Sequence, residues 1–384
     1  MSIEGKIIVD IERRAGVRVS STRPRDLAQV FAGKTPDEVV TTVPLLFSVC
    51  GGAQAAVAAS ACEQAISADD EDIPRRRARE LIVLAENARE HCLRILMDWQ
   101  LGDKKELEPE PLRQVMALKD RMQVATFGQN APFQLFSQPS VDGAAVEAVA
   151  VSLEAIVEQV VLGEKLDAWL ARSDLRSFEV WLAEGRGVAA RFLAGISQRS
   201  WSSMGRAETQ FLPKIDSGAM WDALQSDRDG DFTAQPEWKN RPCETSALAK
   251  FSAHPLISAL MSAYGSGLLT RHAARLVELA QIPTAIRNLQ ASTEPVVRAS
   301  RHADGGLAEV ETARGRLIHA IRMDGGHVLS YKILAPTEWN FHPRGAAARA
   351  LEGLAAGDDA ETKVLAEQVI RAIDPCVGFE VRVH

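Results

Sequence analysis

The cysteine nearest the C-terminus belongs to a segment that could bind a soft metal ion. Cys376 follows Asp374 and Pro375, and an Asp-Pro-Cys segment in this place is typical of one half of a paired-cysteine metal clamp. The residue three positions further on, where a second cysteine would complete the pair, is Phe379, and the chain has no Cys-x-x-Cys pair anywhere. Thiolates suit soft transition metals. The sequence therefore keeps half of a metal clamp.

Other groups that resemble metal ligands are better explained by structural roles. His91 and Cys92 are adjacent on a predicted helix, where their side chains diverge by about 100° and cannot readily chelate one ion. Residues 227–231 (DRDGD) resemble the start of a calcium loop but lack its twelfth-position glutamate. We expect Cys62, in an alanine-rich helix, and Cys243, at the entry of a helix, to be packing residues.

Composition excludes several classes of partner. The chain is 46% hydrophobic and 25% charged, with a net charge of −7, whereas nucleic-acid binding requires a basic face. Its densest basic run, within residues 75–79, opens a helical pattern with acidic neighbours, so we predict a solvated face there. No apolar stretch approaches the roughly 18 residues of a membrane span, and the first residues lack the pattern of a signal peptide. We therefore predict a cytoplasmic protein without nucleic-acid or membrane partners, and its scattered cysteines fit a reducing compartment.

Hydrophobic patterns predict a mainly α-helical chain of the α+β type. Alternating residues predict a β-hairpin over 3–20 and a second one over 315–334, with a helical core over 22–300 between them. A C-terminal helix and tail follow over 345–384, and we expect residues 1–384 to form a single domain. The clearest helical patterns cover residues 51–66, 74–101, 143–172, 186–199, 245–262 and 268–291.

Several segments resemble the large subunit of nickel-iron hydrogenases. Residues 310–345 (VETARGRLIHAIRMDGGHVLSYKILAPTEWNFHPRG) are similar to a family segment that reads Glu-x-x-Arg-Gly-x-Leu-x-His, a β-hairpin, then Pro-Thr-x-Trp-Asn. Residues 3–12 (IEGKIIVDIE) resemble the opening of that subunit, residues 43–63 its first cysteine motif, and residues 374–376 its Asp-Pro-Cys motif. The resemblance implies a hydrogenase large-subunit-like helical core with small β-hairpins.

The resemblance also assigns the cysteines. Such enzymes hold nickel through four thiolates, two of which bridge to an iron that carries cyanide and carbon monoxide. Cys50 falls on a bridging position and Cys376 on a terminal nickel ligand, while Phe47 and Phe379 stand where the other two cysteines would be. A four-sulfur cage cannot form, so the resemblance implies neither nickel nor hydrogen oxidation.

The resemblance also implies that the residues around the cyanide and carbon monoxide ligands of the large subunit are retained in this chain. Arg314 and Thr337 match the residues that lie near the two cyanides, where a cation and a hydroxyl can satisfy anionic nitrogens. Leu317 matches the leucine beside the carbon monoxide, with Pro336 next to Thr337, and Glu4 matches an acid near a terminal cysteine sulfur.

This combination resembles shortened large-subunit-like accessory proteins of the HupK or HoxV type. It implies a non-catalytic scaffold that holds the Fe(CN)2(CO) unit or transfers it to the hydrogenase large subunit. Its partners would be that subunit, the iron-ligand assembly complex and small chaperones. Two thiolates bind less tightly than four, which suits transfer. Two alternatives are a metal-free large-subunit mimic that binds only proteins and a residual hydrogenase or hydrogen sensor.

Structural roles remain open for each candidate residue. Cys50 and Cys376 could be inert core residues, since free cysteine is often buried. Arg314 could be a turn arginine that makes a structural salt bridge. His319 and His342 stand near the kept pocket in sequence, and we expect both to be hydrogen-bonding neighbours rather than ligands.

Overall fold

The computed structural model of the chain is built mainly from α-helices, accompanied by two β-sheets and a short two-stranded ribbon. It describes residues 5–12, 16–25, 27–47, 49–66, 72–101, 109–289, 291–354 and 358–384. The predicted site residue Glu4 lies outside this set.

The helices vary widely in length. They are α1 (Pro36–Leu46), α2 (Gly51–Ile66), α3 (Ile73–Asp98), α4 (Pro109–Phe127), α5 (Gly143–Ile156), α6 (Leu166–Leu170), α7 (Leu175–Glu184), α8 (Gly187–Gln198), α9 (Ser217–Ser226), α10 (Asp231–Ala234), α11 (Ala247–Phe251), α12 (Pro255–Tyr264), α13 (Leu268–Asn288), α14 (Pro336–Asn340), α15 (Ala346–Glu352) and α16 (Asp359–Ile373). A 3₁₀ turn covers Leu27–Phe31, and a π-helical segment over Val157–Leu162 continues α5. Within the described ranges, every helix is too short or too polar to cross a bilayer.

Helix α2 lies at the centre of the fold. Every residue from Gly52 to Cys62 is buried, as expected for a helix that is apolar on all sides. Alanine favours the helical state and keeps the helix thin, so α1, α3 and the strands described below all pack against it. The approach is close enough that a Cβ at Gly306 would lie 2.2 Å from the carbonyl oxygen of Ala61.

The start of α3 differs from the predicted solvated face. Arg75, Arg77 and Arg79 are buried. Arg79 donates to both carboxylate oxygens of Glu63 at 2.9 Å, and Arg77 lies 3.4 Å from Glu80. The prediction was wrong for these three arginines because carboxylates of α2 and of α3 itself pair with them, and pairing allows charges to be buried.

The strands form two main sheets. They are β1 (Lys6–Glu12), β2 (Gly16–Ser21), β3 (Glu237–Trp238), β4 (Arg241–Pro242), β5 (Val297–His302), β6 (Gly305–Thr312), β7 (Gly315–Asp324), β8 (His327–Leu334) and β9 (Gly378–Val383). One sheet has the order β2-β1-β9, and the other is the antiparallel meander β5-β6-β7-β8. The predicted hairpins over 3–20 and 315–334 correspond to β1–β2 and β7–β8.

The opening and the tail of the chain pair with each other. Strands β1 and β9 run parallel, with Ile7 opposite Phe379 and Val9 opposite Val381. Burial alternates along β1, with Ile7, Val9 and Ile11 buried, so one face of this sheet packs on the core. This pairing brings the Asp-Pro-Cys segment to the first hairpin.

The chain contains more β-structure than its sequence patterns predict. The helical stretch expected over 22–300 is interrupted by β3 and β4 and ends early, since β5 begins at Val297. The tail expected after the last helix contains β9, and the last helix itself is divided into α15 and α16. Strands such as β5 are short and only half buried, so their alternation is weak.

Candidate functional site

Cys50 lies in the turn that leads into α2. Glu86, on α3, accepts hydrogen bonds from the N–H groups of Gly52 at 2.9 Å and Ala53 at 2.7 Å. These donors belong to the first turn of a helix and have no partner within it. A Cβ at Gly52 would lie 2.9 Å from the Glu86 Oε1, so glycine lets the carboxylate reach the helix end. Burial raises the pKa of Glu86. The contact fixes the start of α2 and, with it, Cys50.

Cys376 lies between α16 and β9. Its N–H donates to the Thr337 Oγ1 at 3.1 Å, and the Thr337 hydroxyl donates to the Cys376 Sγ at 3.0 Å. Thr337 follows Pro336, the first residue of α14, a position where proline fits because its missing N–H would lack a helical partner. The structure thus places Thr337 beside Cys376, with Pro336 directly before it in the chain.

Arg314 lies in the tight turn between β6 and β7. Gly315 has φ of +122°, and a Cβ there would lie 2.1 Å from the carbonyl oxygen of Thr245, so a larger residue does not fit. The Asn340 amide donates to the carbonyl oxygens of Thr245 at 2.7 Å and Arg314 at 3.1 Å. The Arg-Gly and Pro-Thr-x-Trp-Asn motifs therefore hold each other in place.

The Arg314 side chain enters a buried network of charges. Its Nη2 donates to the Glu90 Oε2 at 3.1 Å, and its Nε lies 3.6 Å from the Asp374 Oδ2. Asp374 also pairs with Arg94 at 3.1 Å. Burial alone would raise the pKa of Asp374, but Arg314 and Arg275 outweigh this effect and lower it. These contacts support a structural salt bridge for Arg314, next to the cysteines.

Cys50 and Cys376 come together beside Arg314. Burial raises the pKa of the Cys50 thiol, Cys376 raises it further, and Arg314 opposes the increase, so the three groups lie within electrostatic reach of one another. Among the residues that the structure describes, no group of three or more His, Cys, Asp and Glu side chains could hold a metal ion. A metal unit bound here would bring most of its own ligands, with two thiols, a cation and the Thr337 hydroxyl supplied by the protein.

Aromatic residues occupy the positions where the resemblance places two further sulfurs. Phe47, at the end of α1, is 5% exposed and packs in one hydrophobic cluster with the fully buried Leu317 of β7. Phe379 is half buried on β9, opposite Ile7, and packs against the main core. Both rings are part of the protein's packing.

The remaining cysteines and His91 have packing or pairing contacts. Cys62, Cys92 and Cys243 are buried. The Nε2 of His91 lies 3.0 Å from the Glu278 Oε2, so this ring is engaged in a buried pair. These positions agree with the structural roles expected from the sequence.

His319 reaches Cys50 through one intervening side chain. Its Nδ1 lies 2.7 Å from the Tyr331 hydroxyl and its Nε2 lies 2.7 Å from the Gln54 Oε1, while the Gln54 Nε2 donates to the Cys50 Sγ at 3.8 Å. Burial lowers the pKa of His319 to about 3, so the ring is neutral and carries a single N–H. His342 instead accepts a hydrogen bond from a backbone N–H two residues further on.

The structure adds Arg23 and Glu338, which the sequence did not single out. The Arg23 Nη1 donates to the Glu338 Oε1 at 2.7 Å, and its Nη2 donates to the Cys376 Sγ at 3.4 Å. Arg23 follows β2 and lies in no motif, so only the position of Glu338, directly after Thr337, could have suggested the pair.

Comparisons with known proteins identify relatives of the whole chain. Residues 223–382 match the family of nickel-dependent hydrogenases. The hydrogenase expression/formation protein HupV of Azotobacter chroococcum is 30% identical, covering 99% of this chain and 98% of that protein. HoxV of Cupriavidus necator, with the same description, is 30% identical over 94% of this chain and 92% of that protein. HupK of Azotobacter vinelandii is 29% identical over 99% and 98%.

Solved structures show the same fold. The [NiFeSe]-hydrogenase of Desulfomicrobium baculatum matches with a TM-score of 0.65 at 15% identity, over 94% of this chain and 93% of that chain. The Ni-Fe-Se hydrogenase of D. vulgaris Hildenborough matches with a TM-score of 0.62 at 16% identity, over the same shares. The predicted hydrogenase large-subunit-like fold is confirmed.

Proposed function

The chain belongs to the family of hydrogenase expression/formation proteins related to the hydrogenase large subunit, and on this basis we propose that it is a non-catalytic scaffold in nickel-iron hydrogenase maturation. Its cargo would be the Fe(CN)2(CO) unit, held on its way to the large subunit.

The observation that carries the proposal is the pair of thiols beside a cation and a hydroxyl. Cys50 and Cys376 lie within electrostatic reach of each other and of Arg314, and the Thr337 hydroxyl donates to the Cys376 sulfur. Soft thiolates suit low-spin iron, and a cation and a hydroxyl donor suit anionic cyanide nitrogens. Two sulfurs and three diatomic ligands would fill five of the six positions that iron normally offers, which leaves the unit open to transfer.

Catalysis of the hydrogenase type would require nickel and more thiolates than this site has. Phe47 is buried at one of the two missing sulfur positions, and Phe379 packs at the other. Nickel held by four sulfurs is therefore not part of the proposal. Partners would be the hydrogenase large subunit, the iron-ligand assembly complex and small maturation chaperones.

One observation favours a second candidate, a metal-free mimic of the large subunit that binds only proteins. Arg314 is engaged with Glu90 and Asp374, so its burial could be explained by structure alone. The two candidates differ in what they require of the cysteines, because protein binding through an outer surface does not need two interior thiols.

The test is a replacement of the native protein by variants in a host that makes the cognate hydrogenase. The double variant Cys50→Ala/Cys376→Ala should abolish hydrogenase activity at normal protein level, while Cys62→Ala, a buried cysteine elsewhere in α2, should preserve it. Full activity of the double variant would exclude thiolate-held iron and favour the mimic.

A further inference from the structure

A cavity of about 360 Å3 is lined in part by Thr337 and Arg23, the two side chains that donate to the Cys376 sulfur. It has room for about twelve water molecules, given roughly 30 Å3 for each. Its described lining includes Thr337, Glu338 and Arg23 next to Cys376, with Phe47 and Tyr331 on its apolar side. The cavity therefore adjoins the side chains that contact the Cys376 sulfur.

The described lining favours an anion. It carries four basic residues, Arg23, Arg25, Arg228 and Lys332, against one acid, Glu338. A concave site lined mainly by one sign of charge concentrates ions of the opposite sign. An anionic ligand that reached the thiols through this cavity would meet Arg23, whose side chain is 13% exposed.

Arg23 is held in a defined place. Gly5 has φ of +68°, and a Cβ there would lie 2.6 Å from the Arg23 backbone nitrogen, so the chain opening packs directly on this residue. The N–H of Thr22 donates to the carbonyl oxygen of Lys6 at 2.9 Å, and the Arg23 N–H donates to the Ser21 Oγ at 3.2 Å. The first sheet thus fixes the backbone from which the guanidinium reaches Cys376.

Two arginines act on the same pair of sulfurs from different surroundings. Arg314 belongs to the buried network with Glu90 and Asp374, while Arg23 lines the cavity. A guanidinium with a carboxylate partner keeps its orientation and can still offer several N–H donors to an anion.

We propose that the cavity admits the cyanide-bearing iron unit and that Arg23 is a second ligand-binding arginine, which donates to an anionic ligand on the cavity side of Cys376. This inference rests on the proposed function for the identity of the cargo, but the anion site itself does not. Glu338 positions Arg23, and the guanidinium donates to the incoming anion while it stays paired with this carboxylate.

One arm of the test uses protein purified from a host that makes the iron-ligand unit. Infrared spectra should show cyanide and carbonyl bands in the unsubstituted protein, and Arg23→Gln should shift the cyanide bands or remove them together with the iron. Arg298→Gln should change neither, because Arg298 is not among the described residues that line the cavity and pairs with Glu309. Bands at unchanged positions and unchanged iron content in Arg23→Gln would overturn the proposal.

The second arm separates this inference from the proposed function. Metal-free protein is titrated with thiocyanate, a small anion with its own carbon–nitrogen stretch, and loss of a charge-assisted hydrogen bond in Arg23→Gln should weaken binding at least tenfold. Arg23→Lys, which keeps the charge, should lose less, and Arg298→Gln should bind normally. If thiocyanate binds through Arg23 but the first arm shows no cyanide or carbonyl bands, the anion site is upheld and the iron unit is excluded as its cargo. Equal binding by Arg23→Gln and the unsubstituted protein would overturn the inference.

Discussion

Replacement of Arg314 by leucine is expected to destabilise the fold as well as to impair the site. The side chain is 2% exposed and faces the buried carboxylates of Glu90 at 3.1 Å and Asp374 at 3.6 Å. Leucine would fill part of the space but would remove one cation from both carboxylates. A buried carboxylate that loses its cation is poorly compensated in the folded protein but is solvated in the unfolded chain, so the substitution lowers the free energy of unfolding.

The size of this loss depends on the cations that remain paired with the two carboxylates in Arg314→Leu. Removal of one partner from a buried ion pair costs about 3–5 kcal/mol when the other charge is left alone. Glu90 keeps Arg89 at 2.8 Å, and Asp374 keeps Arg94 at 3.1 Å. We therefore expect the free energy of unfolding to fall by about 3 kcal/mol, a large part of the roughly 5–15 kcal/mol that stabilises a typical protein.

Urea unfolding followed by circular dichroism measures this loss. Arg314→Lys, which keeps the cation, should lose less, and the double variant Arg314→Leu/Glu90→Gln should recover part of the loss because one unpaired carboxylate is gone. Arg298→Leu is the matched control, since Arg298 pairs with Glu309 at 2.9 Å while 39% exposed, and such pairs contribute about 0–1 kcal/mol. A stability of Arg314→Leu equal to that of the control would refute the buried network as a stabilising element.

Two further predictions concern the frame of the site. Gly315→Ala should lower the free energy of unfolding in urea by about 3 kcal/mol or more, because its Cβ would meet the Thr245 carbonyl oxygen. Gly325→Ala, with open space around its Cβ, should lower it by about 1 kcal/mol. Equal losses in the two variants would contradict close packing at Gly315. Burial opposes ionisation of Glu278, but Lys250 and His91 together outweigh it and lower the pKa of Glu278 to about 2. The contribution of the Glu278 carboxylate to the free energy of unfolding should be complete above pH 4.5 and be lost as pH falls toward 2. Between about pH 6 and about pH 3 the urea midpoint should therefore fall less in Glu278→Gln than in the unsubstituted protein. Parallel pH profiles of the two proteins would contradict this.

Local patterns predicted elements that carry several of the candidate site residues. The alanine-rich stretch became α2 with the predicted bounds, and the segment that contains Arg314, Thr337 and Asn340 became a strand turn and a short helix held by side-chain contacts. Such contacts depend on the identity of a few residues at fixed spacing, so the sequence carries them.

Contacts between distant segments could not be predicted in the same way. Arg23 and Glu338 are separated by 315 positions, and Arg23 and Cys376 by 353. The residues around Arg23 form no periodic pattern, and their position is set by the parallel pairing of the two chain ends. Arg79, near the start of α3, was misjudged for the same reason, because Glu63, on α2, is what allows it to be buried.

The central claim is that the two thiols hold an iron unit with diatomic ligands. The most direct measurement is infrared spectroscopy, with metal analysis, of the protein purified from a host that makes this unit. We predict cyanide and carbonyl bands with stoichiometric iron and no nickel, loss of the bands in Cys50→Ala, and a milder or equal loss in Cys376→Ala. Cys62→Ala should keep the bands. Purified protein without these bands and without iron, or bands that survive replacement of both Cys50 and Cys376, would contradict the claim.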